Sequence, residues 1–426
     1  MTTKDHVPAR VPAMAALIGE LASNAAVRAA LDVCAAEKDR AKAEQIRISE
    51  IESPTFAEKV RGEFIMGLLR EYGLSDVVMD PSGNVVGRRP GRTPGEGPVL
   101  AIAAHLDTVF PAGTPLKVTE DGPLLRGPGI GDNASGLRSM LQVLRALNAA
   151  GIETEGDILF VGTVGEEGNG DIRGSKALFD GSRRIDGFLA LDMCDVFTVQ
   201  NGATGSHRWR IAIEGQGGHS YIDYGKVPSA VHAMCRAGAV IADFDPPADP
   251  RTTFTIGTIK GGTTVNSIAA RCEVDVDIRS VSLEELDRLE KSVLAAFERG
   301  VELENARWPA ADEAHRLRLV KTQIGNRPAG MQPDDSPVVQ AALCAMDAMG
   351  LEVRQCRPSS TDANKPISIG VPSACIGTGG VTVNEHSLRE FFDTTDMEKG
   401  PQLALLVALA LTGVAGATRP ALPKLG

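Results

Sequence analysis

Two adjacent carboxylates, Glu166 and Glu167, stand between glycines in Val164-Gly165-Glu166-Glu167-Gly168-Asn169-Gly170. They follow Asp157-Ile158-Leu159-Phe160-Val161-Gly162-Thr163, an apolar run that reads as a buried strand. Neighbouring side chains on an extended backbone point to opposite sides. A turn is needed to aim both acids at one place, and glycine permits one. With such a turn, one carboxylate can ligate a metal while the other moves a proton. Without it the pair is a solvated loop, the commoner fate of charged side chains.

Other residues ask the same question. Pro98-Val99-Leu100-Ala101-Ile102-Ala103-Ala104 is a fully apolar strand that ends in His105-Leu106-Asp107. Alternation puts His105 and Asp107 on one side of it. A metal-binding imidazole commonly needs a carboxylate on its other nitrogen, although a His at a strand end can equally be structural. Gly129-Ile130-Gly131-Asp132-Asn133 precedes a helix expected over 137–149, so Asp132 is either a helix cap or a ligand. The strand over 185–191 delivers Asp192, with Asp195 a rival three residues on. Asn384-Glu385-His386-Ser387 supplies a late imidazole. Two imidazoles and several carboxylates, without cysteine, suit zinc, or cobalt or manganese in its place. An acid shared between two such ions makes a co-catalytic pair that holds a bridging hydroxide and polarises a carbonyl. A phosphate loop is disfavoured: Gly131 and Gly136 have the spacing, but Leu137-Arg138 stands where Lys-Ser/Thr is required.

The elements that must position these groups fall into two kinds. Residues 12 to about 75 read as helices broken at Ser53-Pro54-Thr55, and 77–87 as a hairpin. Three apolar strands then each deliver acids or a His at the carboxyl end, where open α/β sheets bind ligands. The character changes near Gly202. Strand 206–214, helix 229–242, strands 253–259 and 272–279, helix 283–299 and a strand within 306–324 form a β-α-β-β-α-β sandwich. Helix 335–349, polar loop 357–364, strand 371–377 and helix 395–412 return to the first kind. The expected organisation is an α/β mixed-sheet catalytic domain in two parts, 1–201 and 327–426, around an inserted ferredoxin-like α+β domain, 202–326.

The 426-residue length fits two domains. A net charge of −11 argues against nucleic acid as the main partner. No apolar run reaches the length of a membrane span, and the amino-terminal stretch lacks the features of a secretory signal. Seven dispersed cysteines (34, 194, 235, 272, 344, 356, 375) fit a reducing cytoplasm better than a disulfide framework.

Taken together, His105-Leu106-Asp107-Thr108-Val109-Phe110, Gly129-Ile130-Gly131-Asp132-Asn133, Glu166-Glu167-Gly168, Asp192 and His386 resemble the di-zinc exopeptidases and deacylases. That family includes peptidase T, bacterial glutamate carboxypeptidase, acetylornithine deacetylase, succinyl-diaminopimelate desuccinylase and the aminoacylases. The resemblance spans about 51–410. It implies that His105 and Asp192 bind one zinc, Glu167 and His386 the other, and Asp132 both. It makes Asp107 the partner of His105 and Glu166 the general base. His219, in Gly215-Gln216-Gly217-Gly218-His219-Ser220, matches a His that reaches the partner subunit's site in a homodimer and supports the oxyanion. Asn266 and Arg279 match positions that hold a substrate carboxylate, although Ala269 stands where many relatives carry proline. Asp rather than Glu at 192 resembles the peptidase T and dipeptidase branches. The resemblance implies a zinc exopeptidase for di- and tripeptides, with an N-acyl amino acid deacylase as the alternative. A non-catalytic protein on the same frame would lack Glu166 or a ligand, and none is missing.

Overall fold

The computed structural model describes residues 6–193, 195–308 and 313–425; Cys194 lies outside the described residues. Two compact units divide the chain, one of 1–203 with 331–426 and the other of 204–330.

The first unit is built on a mixed sheet. Its neighbouring strands run in the order Asp76–Met79, Val85–Arg89, Asp157–Thr163, Val99–His105, Gly187–Met193, Ser373–Gly377, Thr198–Ala203. The four central strands are parallel. Val99–His105 and Asp157–Thr163 are buried at every position, as expected of strands covered on both faces. The hairpin pair at 76–89 is antiparallel. One face of the sheet carries the larger core, into which Ala134–Ala149, Pro337–Ala348 and Lys399–Thr412 pack. The opposite face carries a smaller core around Val161, Leu178, Phe188 and Ile367. Parallel strands present their carboxyl ends at one edge, and His105 pairs in register with Thr163 there. The glutamate pair therefore leaves the sheet beside His105.

The helical amino-terminal region is four helices, Pro12–Ser23, Ala25–Ala36, Lys38–Ser49 and Lys59–Glu71. No single helix among the described residues is long and apolar enough to cross a membrane. The first two pass that test only as a pair bent by 74°, and they bury Ile18, Leu21, Val27 and Ala30 in the core.

In the second unit, four antiparallel strands run in the order Thr252–Gly261, Arg271–Ser280, Gly205–Glu214, Arg318–Arg327. After the exposed Arg271, the strand Arg271–Ser280 alternates between buried and half-buried positions. Helices Ala230–Ala242 and Leu283–Arg307 cover one face and share a core with Ile211, Val274, Val276 and Phe297. The second helix runs to Arg307 rather than ending near 299. Val301 and Glu304 continue its buried stripe, and the first breaker is Pro309. The expected polar loop at 357–364 is partly ordered: Gln355–Ser359 pairs in parallel with Thr198–Ala203, and Asn364–Ser368 is a short helix.

Candidate metal centre

Gly165 supplies the turn that the glutamate pair needs. Its φ is +64°, and a Cβ there would strike the Arg173 side chain. The conformation is then fixed by Asp107. Its Oδ1 accepts the Glu166 N–H at 2.9 Å, and its Oδ2 accepts the Glu167 N–H at 3.0 Å and the Thr55 hydroxyl at 2.8 Å. Asp107 is fully buried. Strand alternation implies that its carboxylate holds the His105 ring. Instead Nδ1 of His105 lies 3.0 Å from the main-chain oxygen of Asp107, and 3.6 Å from its carboxylate. The carboxylate is already committed to the two amides. An Nδ1–H donated to that carbonyl leaves the Nε2 lone pair facing the cluster.

Five of the expected residues converge. His105 Nε2 is 3.0 Å from Asp132 Oδ1 and 3.1 Å from Asp192 Oδ1. His386 Nε2 is 3.0 Å from Asp132 Oδ2 and 3.2 Å from Glu167 Oε1. His105, Asp132 and Asp192 form one group of potential ligands, and Asp132, Glu167 and His386 a second. Asp132 belongs to both, one oxygen to each. Glu166 joins His105 and Glu167 in a third group and is buried. Asp132 is not the helix cap, because the neighbouring Asn133 accepts the Gly136 N–H. Asp195 stays outside the cluster, accepting from Phe197 N and the Thr198 hydroxyl.

The donor chemistry fits a pair of divalent ions. Burial, with repulsion from Asp132 and Glu166, outweighs His386 and pushes the ion-free Glu167 carboxyl up to about 8. Burial, with Glu166 and Asp132, pushes Asp192 up to about 7 against the pull of His105. Hydrogen bonds to Asp132 and Glu167 raise His386 to about 11. Burial opposes ionisation of Asp132, but its contacts with both imidazoles hold it well below the usual range. Three acids crowded around two imidazoles need cationic charge at their centre. Imidazole and carboxylate donors without thiolate suit zinc-like ions.

Residues 101–410 match the model of peptidase family M20/M25/M40. The chain belongs to this family. A succinyl-diaminopimelate desuccinylase of Stutzerimonas stutzeri is 30% identical over 41% of this chain and 50% of its own length. The chain spans between 25% and 59% of the length of the curated relatives it matches. Aminopeptidase PepT of Bacillus cereus shares the fold, with a TM-score of 0.71 and 22% identity over 87% of this chain and 97% of its own. The Bacillus subtilis YXEP protein, a dinuclear metal binding peptidase from M20 family, shares it with a TM-score of 0.64 and 16% identity over 88% and 99%.

Two acids of this M20 chain escaped the sequence reading. Glu390 is buried, and its carboxylate accepts the N–H groups of Gly129, Gly131 and Asp132 at 2.7, 2.9 and 3.2 Å. It clamps the loop that carries the shared Asp132. Burial pushes it up to about 7 despite those donors. Its local sequence, Arg389-Glu390-Phe391-Phe392-Asp393, carries three charges and does not single it out. Asp362 is also buried, its Oδ2 accepting from the Thr163 hydroxyl at 2.5 Å. Burial and the nearby Glu166 push it up to about 8.

The remaining candidates lie in the second unit. His219 is exposed, and its Nδ1 accepts the Tyr221 N–H at 3.2 Å, which puts the ring proton on Nε2. Arg279 pairs through Nε with Asp277 Oδ2 at 2.7 Å. Asn266 accepts from the Thr264 hydroxyl at 3.0 Å.

Proposed function

We propose that this M20 protein is a metal-dependent exopeptidase that hydrolyses the amide bond of di- and tripeptides. The observation that carries the reading is Asp132, which offers one carboxylate oxygen to each of two ligand groups while the buried Glu166 stands beside them. His105 and Asp192 would hold one ion, Glu167 and His386 the other, and Asp132 both. Zinc is the preferred ion, with cobalt or manganese as substitutes. When bound, the ions supply Lewis acidity toward the amide carbonyl and acidify the attacking water.

The chain's own residues supply the rest. Glu166 takes a proton from the attacking water and delivers it to the leaving amine. Asp107 holds the Glu166 and Glu167 amides, so neither acid can drift from its place. Glu390 fixes the backbone on which Asp132 rides. His219 has its proton on the nitrogen away from the Tyr221 amide, ready to donate to the developing oxyanion. We place it across a homodimer formed through the second unit, as the resemblance implies. Asn266 and Arg279 hold the substrate carboxylate; the Nη groups of Arg279 have no partner among the described residues. The six described cysteines are unpaired, which supports a cytoplasmic protein.

A second reading, hydrolysis of N-acyl amino acids, is favoured by the likeness to the desuccinylase. Asp at position 192 favours peptides. Mass-spectrometric screening of the zinc-loaded protein against mixed di- and tripeptides and N-acyl amino acids separates the two. Cleavage confined to acyl substrates would replace the first reading with the second, and cleavage of neither would overturn both.

A further inference from the structure

A second convergence of ligand atoms lies wholly within the unit of 204–330. His207, Asp287 and Glu290 each offer one atom, and the three atoms lie within 4.8 Å of one another. Asp287 and Glu290 are three residues apart on the helix Leu283–Arg307, so they share a face. His207 and Trp209 alternate onto the helix-facing side of the strand Gly205–Glu214. The Trp209 indole N–H donates to Glu290 Oε1 at 2.6 Å and fixes that carboxylate.

Two features separate this cluster from an ordinary ion pair. Nδ1 of the buried His207 is 3.0 Å from Glu290 Oε1, yet it has no aligned hydrogen-bond partner. A buried imidazole nitrogen this close to a carboxylate oxygen, yet off a hydrogen-bond axis, is left without the partner that burial demands. Ligands of one tetrahedral zinc, with bonds of about 2.0 Å, sit roughly 3.3 Å apart. Asp287, half-buried, has no hydrogen bond or ion pair among the described residues. A shielded carboxylate gains from a counter-charge, and no Lys or Arg among the described residues forms an ion pair with Asp287.

We propose that His207, Asp287 and Glu290 form a further divalent-cation site, taking zinc or a similar borderline ion through one imidazole nitrogen and two carboxylate oxygens. The mixed nitrogen and oxygen donor set disfavours magnesium and calcium, which take oxygen. The ion ties the first strand of the second unit to its long helix and stabilises that unit. The site is independent of the cluster around Asp132 and of the proposed hydrolysis.

The test is zinc stoichiometry by native mass spectrometry. The full chain is stripped with chelator, reloaded with zinc alone and compared with His207→Ala and Asp287→Ala. Each variant is expected to hold one zinc fewer than the unaltered chain. The difference persists when both are made in an Asp132→Ala background. Zinc is also expected to raise the melting temperature of the Asp132→Ala chain, but not once Asp287→Ala is added. Should His207→Ala fail to fold by circular dichroism, Asp287→Ala decides alone, since its side chain has no partner to lose. Equal zinc counts in the unaltered chain and the folded variants overturn the proposal and leave an imidazole–carboxylate pair.

Discussion

Asp107→Asn removes one oxygen from the centre of the site without changing its shape. The carboxylate receives the amides of Glu166 and Glu167 on separate oxygens, with the Thr55 hydroxyl on the second. An amide side chain keeps only one acceptor. Whichever way it turns, its NH2 faces a buried peptide N–H. An unsatisfied buried donor costs about 1–3 kcal/mol, and the surviving bond loses the strengthening of a charged acceptor, so the total is about 2–4 kcal/mol. The loss falls on Glu166 and Glu167, the two residues proposed to carry the chemistry. Groups that orient metal ligands typically account for roughly 10–100-fold in metal affinity. Urea unfolding of the chelated protein measures the first quantity, and competition with a chromophoric chelator the second. We expect both to fall. Stability within about 0.5 kcal/mol of the unaltered chain, together with unchanged zinc affinity, would refute the role given to Asp107.

Glu166→Gln is expected to keep its zinc and to lose roughly 10²–10⁴-fold in turnover, read by metal analysis and initial rates on the same sample. Glu167→Gln should lose zinc as well as activity; a Glu167→Gln chain with full metal and no activity would reverse the two roles. Glu390→Gln replaces one of the two acceptor oxygens that hold three loop amides, and zinc affinity should drop about tenfold in the same competition assay. His386 is raised to about 11 in the ion-free cluster, so at neutral pH it must give up a proton to become a ligand. Zinc loading should therefore release protons into weak buffer and weaken as pH falls; loading without proton release would contradict that.

The site was readable in the sequence where the chain itself carries the geometry. Continuous apolar strands ending in His105, Asp192 and the glutamate pair announce a buried parallel sheet with polar groups at one edge. Gly165 marks the turn. What escaped depends on groups far apart in sequence. Glu390 is clamped to amides 258 to 261 residues away, and nothing local signals that. Asp107 lies beside His105, as alternation implies, but its carboxylate serves backbone N–H groups that no side-chain pattern displays. Asn133 rather than Asp132 caps the helix, because the two neighbours are equally good caps by type. The β-α-β-β-α-β order of the second unit was legible from alternation, whereas the end of its long helix was not. Nothing in the sequence signals that Asp287 and Glu290 meet His207, which lies on a strand that precedes them by about 80 residues.

The central claim is that one carboxylate serves two metal ions, and Asp132→Ala tests it most directly. Native mass spectrometry of the zinc-loaded chain, made in the Asp287→Ala background to leave only the cluster around Asp132, counts the ions. With Asp132 intact, two are expected. His105→Ala and His386→Ala should each impair one site, whereas Asp132→Ala should empty both. An Asp132→Ala chain that still holds one zinc tightly, or an intact chain that never holds more than one, would contradict the shared-ligand account.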